Sequence, residues 1–93
     1  MALRFEWDRA KAEANLRKHE VSFSEASTVF EDRLSITKPD RRHSDIEDRY
    51  WTIGMSNRGR LVVVAHTEDN ETVAIISART PTPQERKQYE EDK

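Results

Sequence analysis

Three apolar segments separated by two turn sequences restrict the fold of this chain more than any other feature. Arg49 to Ser56 and Arg60 to Thr67 flank Asn57-Arg58-Gly59, where glycine can adopt the left-handed conformation that a three-residue hairpin loop needs. Asp69-Asn70 supplies the next turn and leads into Thr72 to Arg79. This order predicts an antiparallel meander of three strands. Its middle strand is apolar on both faces, which places it centrally in the sheet.

Helical signals dominate the first third of the chain. Leu3 to Trp7 alternates as a short strand, and Asp8 is a suitable N-cap for a helix from Arg9 to His19. Ser22 and Glu25 form a capping-box sequence in which each side chain is expected to satisfy a backbone N–H group. Apolar residues at helical spacing then predict a second helix that packs one face on the core.

The remaining segments complete the predicted fold. Leu34 to Thr37 has the pattern of a strand, and Pro39 to Asp48, which contains His43, is a polar loop. Thr82, Pro83 and Glu85 mark the start of a last helix. We therefore predict one α+β domain over residues 1–93, with an antiparallel sheet of about four or five strands, two helices before the meander and one after it.

Composition excludes several classes of function. The 93 residues include no cysteine, which excludes thiol catalysis, disulfides and cysteine metal sites. No apolar run reaches membrane-spanning length, so we expect a soluble cytoplasmic protein that does not act at a membrane. The net charge of −2 argues mildly against nucleic-acid binding and requires any phosphate-binding surface to be a local patch. With only two glycines and no phosphate-binding loop, the chain is expected to use no cofactor.

Arg79 is the first candidate functional residue. It lies where the uncharged segment Val73 to Ala78 runs into the helix start at Thr82. A strand end holds a side chain rigidly, and a helix N-terminus offers unpaired N–H groups, so a cation between them is well placed to meet a phosphate. The alternative is an arginine paired with a carboxylate at the rim of the sheet.

The other ionisable residues suit acid–base and phosphate chemistry. The three histidines lack the close spacing of a metal site, so no bound metal is expected. His66 is the best catalytic candidate among them because it is near Glu68 in sequence, and it could lie close to Arg79. The candidate groups for metal-free RNA cleavage are Lys11, Lys18, His19, His66, Arg79, Arg86 and Tyr89.

Two groups of motifs resemble the BrnT family of toxins. At the N-terminal end they are Phe5-Glu6-Trp7-Asp8, Lys11, Asn15, Lys18-His19, Val21-Ser22-Phe23, Glu25-Ala26 and Val29-Phe30. At the C-terminal end they are Ile75-Ile76-Ser77-Ala78-Arg79, Glu85-Arg86 and Tyr89. The resemblance extends from Leu3 to about Tyr89.

The resemblance implies a RelE-like fold and a ribonuclease that arrests growth by cutting RNA. It also implies an antitoxin of the BrnA type, with a ribbon-helix-helix domain that binds DNA, so that the toxin would meet DNA only through this partner. The family's lysine near the start of the first helix corresponds to Lys11, and its strand-end arginine corresponds to Arg79. Glu85 and Arg86 match its C-terminal motif.

Two positions depart from the family pattern. Glu20 stands where many relatives have glycine, and Ala74 stands where many have arginine. The first change is tolerable, since a non-glycine residue in a left-handed cap costs about 1 kcal/mol. Ala74 is either natural variation or a substitution that disarms a toxic protein, and the sequence leaves both open. Alternation places Arg79 and position 74 on opposite faces of the strand unless a bulge intervenes.

We assign roles on this basis. Arg79 is the candidate phosphate clamp and transition-state stabiliser, and Lys11 is a second phosphate contact. His66 or Glu68 is the candidate base; Tyr89, Arg86 and Lys18 are auxiliary groups. The rival function is a non-catalytic module that binds a DNA-binding partner and acts only in transcriptional control. An assay for RNA cleavage separates the two.

Overall fold

The computed structural model describes residues 3–41 and 48–91. The segment 42–47, with His43 and most of the predicted polar loop, lies outside the described residues. Within the described residues, five strands, three α-helices and one 3₁₀ turn follow one another. They are β1 (Arg4–Glu6), α1 (Arg9–His19), α2 (Phe23–Thr28), the 3₁₀ turn (Val29–Glu31), β2 (Ile36–Pro39), β3 (Arg49–Met55), β4 (Leu61–Asp69), β5 (Thr72–Arg79) and α3 (Pro83–Glu91).

The five strands form one sheet in the order β1-β5-β4-β3-β2. The α+β class, the β3-β4-β5 meander and the central place of β4 are confirmed. The prediction of an antiparallel sheet is wrong for one pair, because β1 runs parallel to β5. A three-residue strand has too little pattern to specify its direction. Since β2 pairs with the outer edge of β3, only the edge of β5 is left for β1 to join. The sheet is therefore mixed.

One face of the sheet is covered by α1 and α2. The core there joins Val21, Phe23, Ala26 and Val29 to the β-strand residues Val62, Val64, Val73, Ile75 and Ala78. At the end of α1, Glu20 adopts the left-handed conformation with φ of 59°, as expected for a position where glycine is favoured. We call this side of the sheet the helix-covered face.

The predicted capping box of α2 is half correct. Ser22 Oγ accepts a 3.0 Å bond from the Glu25 N–H. The Glu25 carboxylate does not return to Ser22 but binds Arg60, at 2.7 and 2.8 Å, and the hydroxyl of Ser56, at 2.7 Å. Glu25 is buried, and a buried charge requires a paired cation. The bond from Arg60 is the main cause that holds the pKa of Glu25 below its ordinary value.

The opposite face is covered only in part. Tyr89 of α3 packs there against Ile53, Leu61 and Val63. The predicted box at the start of α3 is formed in both directions, since Thr82 N donates to Glu85 Oε1 and Glu85 N donates to Thr82 Oγ1. Because α3 covers one end of this face, the rest is left as what we call the open face. In the described part of the chain, no helix is long and apolar enough to cross a membrane.

Candidate functional site

A bulge in β5 decides which residues reach the open face. Ala65 of β4 pairs with Ser77, but the next residue, His66, pairs with Ile75, so Ile76 is the extra residue. Side chains alternate across a strand, and one inserted residue reverses that alternation. Arg79, opposite Val63, and Ala74, opposite Thr67, therefore lie on the same face. The expectation from unbroken alternation, that Arg79 and position 74 lie on opposite faces, is wrong because of this bulge.

A groove of about 680 Å³ runs over the open face. Strand β3 contributes Arg49 and Trp51, and the end of β5 contributes Ser77 and Arg79. The remaining lining residues are Pro39, Asp40, Arg41, Val63, Ala65, Ile76 and Glu85. Three arginines thus line one groove, although the chain as a whole has a net charge of −2. The lining also contains the carboxylates of Asp40 and Glu85, so three cationic and two anionic side chains share the groove.

Arg79 makes a two-point ion pair with Glu85. Its Nη1 and Nη2 donate to the two carboxylate oxygens at 2.8 and 2.9 Å. These bonds are the largest cause of a raised pKa for Arg79 and a lowered pKa for Glu85. The alternative that the sequence left open, an arginine paired with a carboxylate at the rim of the sheet, is thus what the structure contains.

The ion pair leaves part of the guanidinium available. A guanidinium has five N–H donors, and three of those of Arg79 go to Glu85 and to the Thr80 carbonyl. The two others, on Nε and Nη2, share one edge. This edge has the fork geometry that binds a phosphate at two points. The Arg79 side chain is 41% exposed, so a phosphate in the groove can approach it.

Asn15 fixes the backbone next to Arg79. Strand β1 pairs with β5 only as far as Ala74, and Asn15 of α1 binds the edge of β5 further along. Its Nδ2 donates to Ala78 O at 2.8 Å, and Ala78 N donates to its Oδ1 at 3.1 Å. Lys11 and Lys18, four residues before and three after Asn15, share its side of the helix. Both are exposed and are placed along this edge rather than in the groove.

His66 lies on the helix-covered face, away from Arg79. It is fully buried, with its ring 4.9 Å from that of Phe30, and Nε2 is 2.8 Å from Thr52 Oγ1. Burial lowers its pKa to about 4. The expectation that His66 could lie close to Arg79 is wrong. His66 points to the helix-covered face, whereas Val63, the β4 residue that pairs with Arg79, points to the open face. Glu68 shares the face of His66, and its Oε2 is 3.5 Å from His66 Nδ1.

The remaining predicted residues lie outside the groove. Tyr89 is 3% exposed, and its hydroxyl donates a 2.7 Å bond to Asp32 Oδ2. Burial is the main cause that raises its pKa to about 12. Arg86 is exposed on α3 and does not line the groove. The geometry thus favours a structural role for Tyr89 and assigns no contact in the groove to Arg86.

Sequence reasoning missed Arg41, Arg49 and Trp51. A signal existed for the last two, since Arg49, Trp51 and Ile53 share one face of a strand, but which face stays open depends on where the helices pack. Ala74 pairs with Thr67 and thus lies in the same cross-strand row as Arg49. In residues 3–41 and 48–91 there is no group of three or more histidines and carboxylates suited to hold a metal ion.

Comparison with known proteins identifies the family of this chain. No curated protein sequence matches the chain. The structure is similar to the crystal structure of the ribonuclease toxin BrnT of Brucella abortus, with a TM-score of 0.67 and 20% sequence identity, over 87% of this chain and 99% of that one. At this identity the similarity establishes the fold. Residues 7–85 match the family of ribonuclease toxins named BrnT, of type II toxin–antitoxin systems. Since the match covers most of its length, this chain belongs to the BrnT toxin family.

Proposed function

We propose that this chain is itself an RNA endonuclease and that the groove on the open face is its active site. The observation that carries the proposal is Arg79, which lines a groove with two further arginines and keeps two N–H donors outside its bonds to Glu85 and Thr80. Membership of a ribonuclease toxin family supports the same reaction.

The proposed reaction needs no metal. The ribose 2′-oxygen attacks the adjacent phosphorus, its proton passes to a base, and the bond from phosphorus to the 5′-oxygen breaks as that oxygen takes up a proton. The products are a 2′,3′-cyclic phosphate and a free 5′-hydroxyl. Arg79 stabilises the charge that develops on the phosphate oxygens. Lys11 and Lys18, which share the side of α1 that binds the β5 edge, hold the flanking backbone of the RNA in this proposal.

Cleavage of purified RNA by the purified protein tests this proposal. We expect activity in the presence of chelator, with a cyclic phosphate detected by mass spectrometry. Arg79→Ala should lower the rate by about 10²- to 10³-fold, as is typical for loss of one preorganised donor. Arg17→Ala, an exposed position on α1, is the matched control. Activity lost in chelator and restored by magnesium contradicts the mechanism. A folded Arg79→Ala protein with the parental rate removes Arg79 from it.

We also propose that the antitoxin is of the ribbon-helix-helix type and that the pair acts in the cytoplasm. The family belongs to type II systems, in which a protein antitoxin binds the toxin; the resemblance described above supports the BrnA type. Coexpression with a neighbouring ribbon-helix-helix gene should give a complex that survives gel filtration and melts at a higher temperature than the toxin, since a ligand of the native state stabilises it. Separate elution at micromolar concentration is the contrary outcome.

A further inference from the structure

Trp51 occupies the middle of the groove. It belongs to a cross-strand row in which Lys38 of β2, Trp51 of β3, Ala65 of β4 and Ser77 of β5 lie side by side. The last two side chains in this row are small. The groove therefore has open space above Ala65 and Ser77, next to a large, half-buried indole ring. A flat aromatic ring beside open space offers room for a planar base.

Cations surround this ring. Lys38 Nζ lies 6.0 Å from the ring centroid, within the range of a cation–π interaction. Arg49 is two residues from Trp51 on the same face of β3, and Arg79 lies two strands away and one row further along. From strand spacing and rise, the Cα atoms of Trp51 and Arg79 are about 12 Å apart. Phosphates that flank a base at Trp51 thus have a cation on either side.

We propose that this groove selects single-stranded RNA by stacking a base on Trp51, while arginines hold the phosphates on either side. The inference rests on the proposed function for the choice of RNA as ligand. In a duplex the base faces are covered by neighbouring base pairs, and the protein meets mainly the backbone. An unpaired strand exposes base faces, on which aromatic side chains bind with little sequence preference. When a base covers the ring, Lys38 can move from the ring to a phosphate.

The competing explanation is that Trp51 only fills space. The ring does pack against the cluster of Ile53, Leu61, Val63 and Tyr89. A residue with only that role would not respond to the strandedness of bound RNA. The two explanations therefore differ in a spectroscopic signal and not only in the effect of a deletion.

The chain has two tryptophans, and the second serves as an internal control. Trp7 is 40% exposed and packs edge-on against Phe23, on the helix-covered side. A Trp7→Phe protein reports the fluorescence of Trp51 alone, and a Trp51→Phe protein reports that of Trp7 alone. The probes are short 2′-O-methyl RNA strands, which lack the attacking hydroxyl and stay intact, the duplexes of the same strands, and inorganic polyphosphate.

We expect the single strands to quench Trp51 in the Trp7→Phe protein and to leave Trp7 unchanged in the Trp51→Phe protein. Duplex and polyphosphate should quench Trp51 much less at equal occupancy. Trp51→Ala should weaken single-strand binding by about 5- to 150-fold, the range for loss of one stacked base, and Trp51→Phe by less. Because Trp51→Ala could also loosen the core, circular dichroism accompanies it; the quenching experiment keeps the ring intact and does not depend on it.

The outcomes separate this inference from the proposed function. Cleavage of ordinary RNA without quenching of Trp51 overturns the stacking inference and leaves the ribonuclease in place. Quenching by single strands together with intact ordinary RNA overturns the ribonuclease and supports the binding site. Equal quenching by duplex, or by polyphosphate, shows that the signal comes from charge and overturns the selection of single strands.

Discussion

Glu85 holds Arg79 and the start of α3 in one arrangement. Its Oε1 accepts from Arg79 Nη1 at 2.8 Å and from Thr82 N at 2.9 Å, while Oε2 accepts from Arg79 Nη2 at 2.9 Å. The residue that completes the helix cap is therefore also the residue that orients the candidate catalytic cation. The position of α3 and the direction of the Arg79 fork are coupled through one carboxylate.

Separate substitutions at Glu85 and Thr82 test this coupling. Glu85→Ala should lower kcat by about 10- to 100-fold, because a small misplacement of a preorganised group has effects of this size. Thr82→Ala removes the Thr82 hydroxyl from the cap but leaves the ion pair, so it should cost about 1 kcal/mol of stability with little change in kcat. RNA cleavage and thermal melting of both variants are the measurements. A kcat of the Glu85→Ala protein equal to the parental value would show that the function of Arg79 does not depend on Glu85.

Ala74→Arg should leave RNA cleavage equal or raise it. The bulge at Ile76 places position 74 on the face of Arg79, in the same cross-strand row as Arg49. An arginine there adds a second cation to the row of Arg49, so we expect tighter RNA binding and stronger growth arrest in cells. Ile76→Arg would not serve as a control because Ile76 lines the groove. Ala14→Arg, at an exposed position of α1 outside the groove lining, adds the same charge and should have a smaller effect. Weaker cleavage by Ala74→Arg would contradict the expectation.

Tyr89→Phe should lower stability and leave catalysis unchanged. The change removes the hydroxyl that donates to Asp32 Oδ2 at 2.7 Å but keeps the ring that packs in the core. Loss of a hydrogen bond to a charged acceptor costs about 1 to 3 kcal/mol. Denaturant unfolding gives the stability, and cleavage at a temperature where both proteins are folded gives the activity. A large fall in kcat would restore Tyr89 to the catalytic set.

His66 should make the protein less stable as the pH falls from about 6.5 to about 4. Burial lowers its pKa from 6.5 to about 4, so between these values the unfolded chain binds a proton that the native state does not. The free energy of unfolding therefore falls with decreasing pH in this window, by about 3 kcal/mol in total, and is independent of this group above it.

Urea unfolding across this pH range measures the effect, and a titration of the His66 ring protons by NMR gives the pKa directly. His66→Gln, which can still bond Thr52, should reduce the slope. A native pKa near 6.5 would contradict the burial argument.

The sequence by itself determined the elements and the family. The turn at Asn57-Arg58-Gly59, the caps at Asp8 and Thr82 and the apolar pattern of β4 are local signals, and local hydrogen bonds and backbone preferences are sufficient to fix what they specify. The motifs around Lys11 and Arg79 pointed to the family for a related reason, since they combine helix starts and a strand end in one order.

Only the tertiary structure decided which side chains meet. A single extra residue at Ile76 reversed the faces of β5 and brought position 74 to the side of Arg79. The packing of α1 and α2 buried His66, while Trp51 and Arg49 line the groove on the other face. Strand direction, bulges and the covered face depend on contacts between segments far apart in the chain. Alternation within one strand contains no information about them, because it fixes two sides but not which of them faces the core.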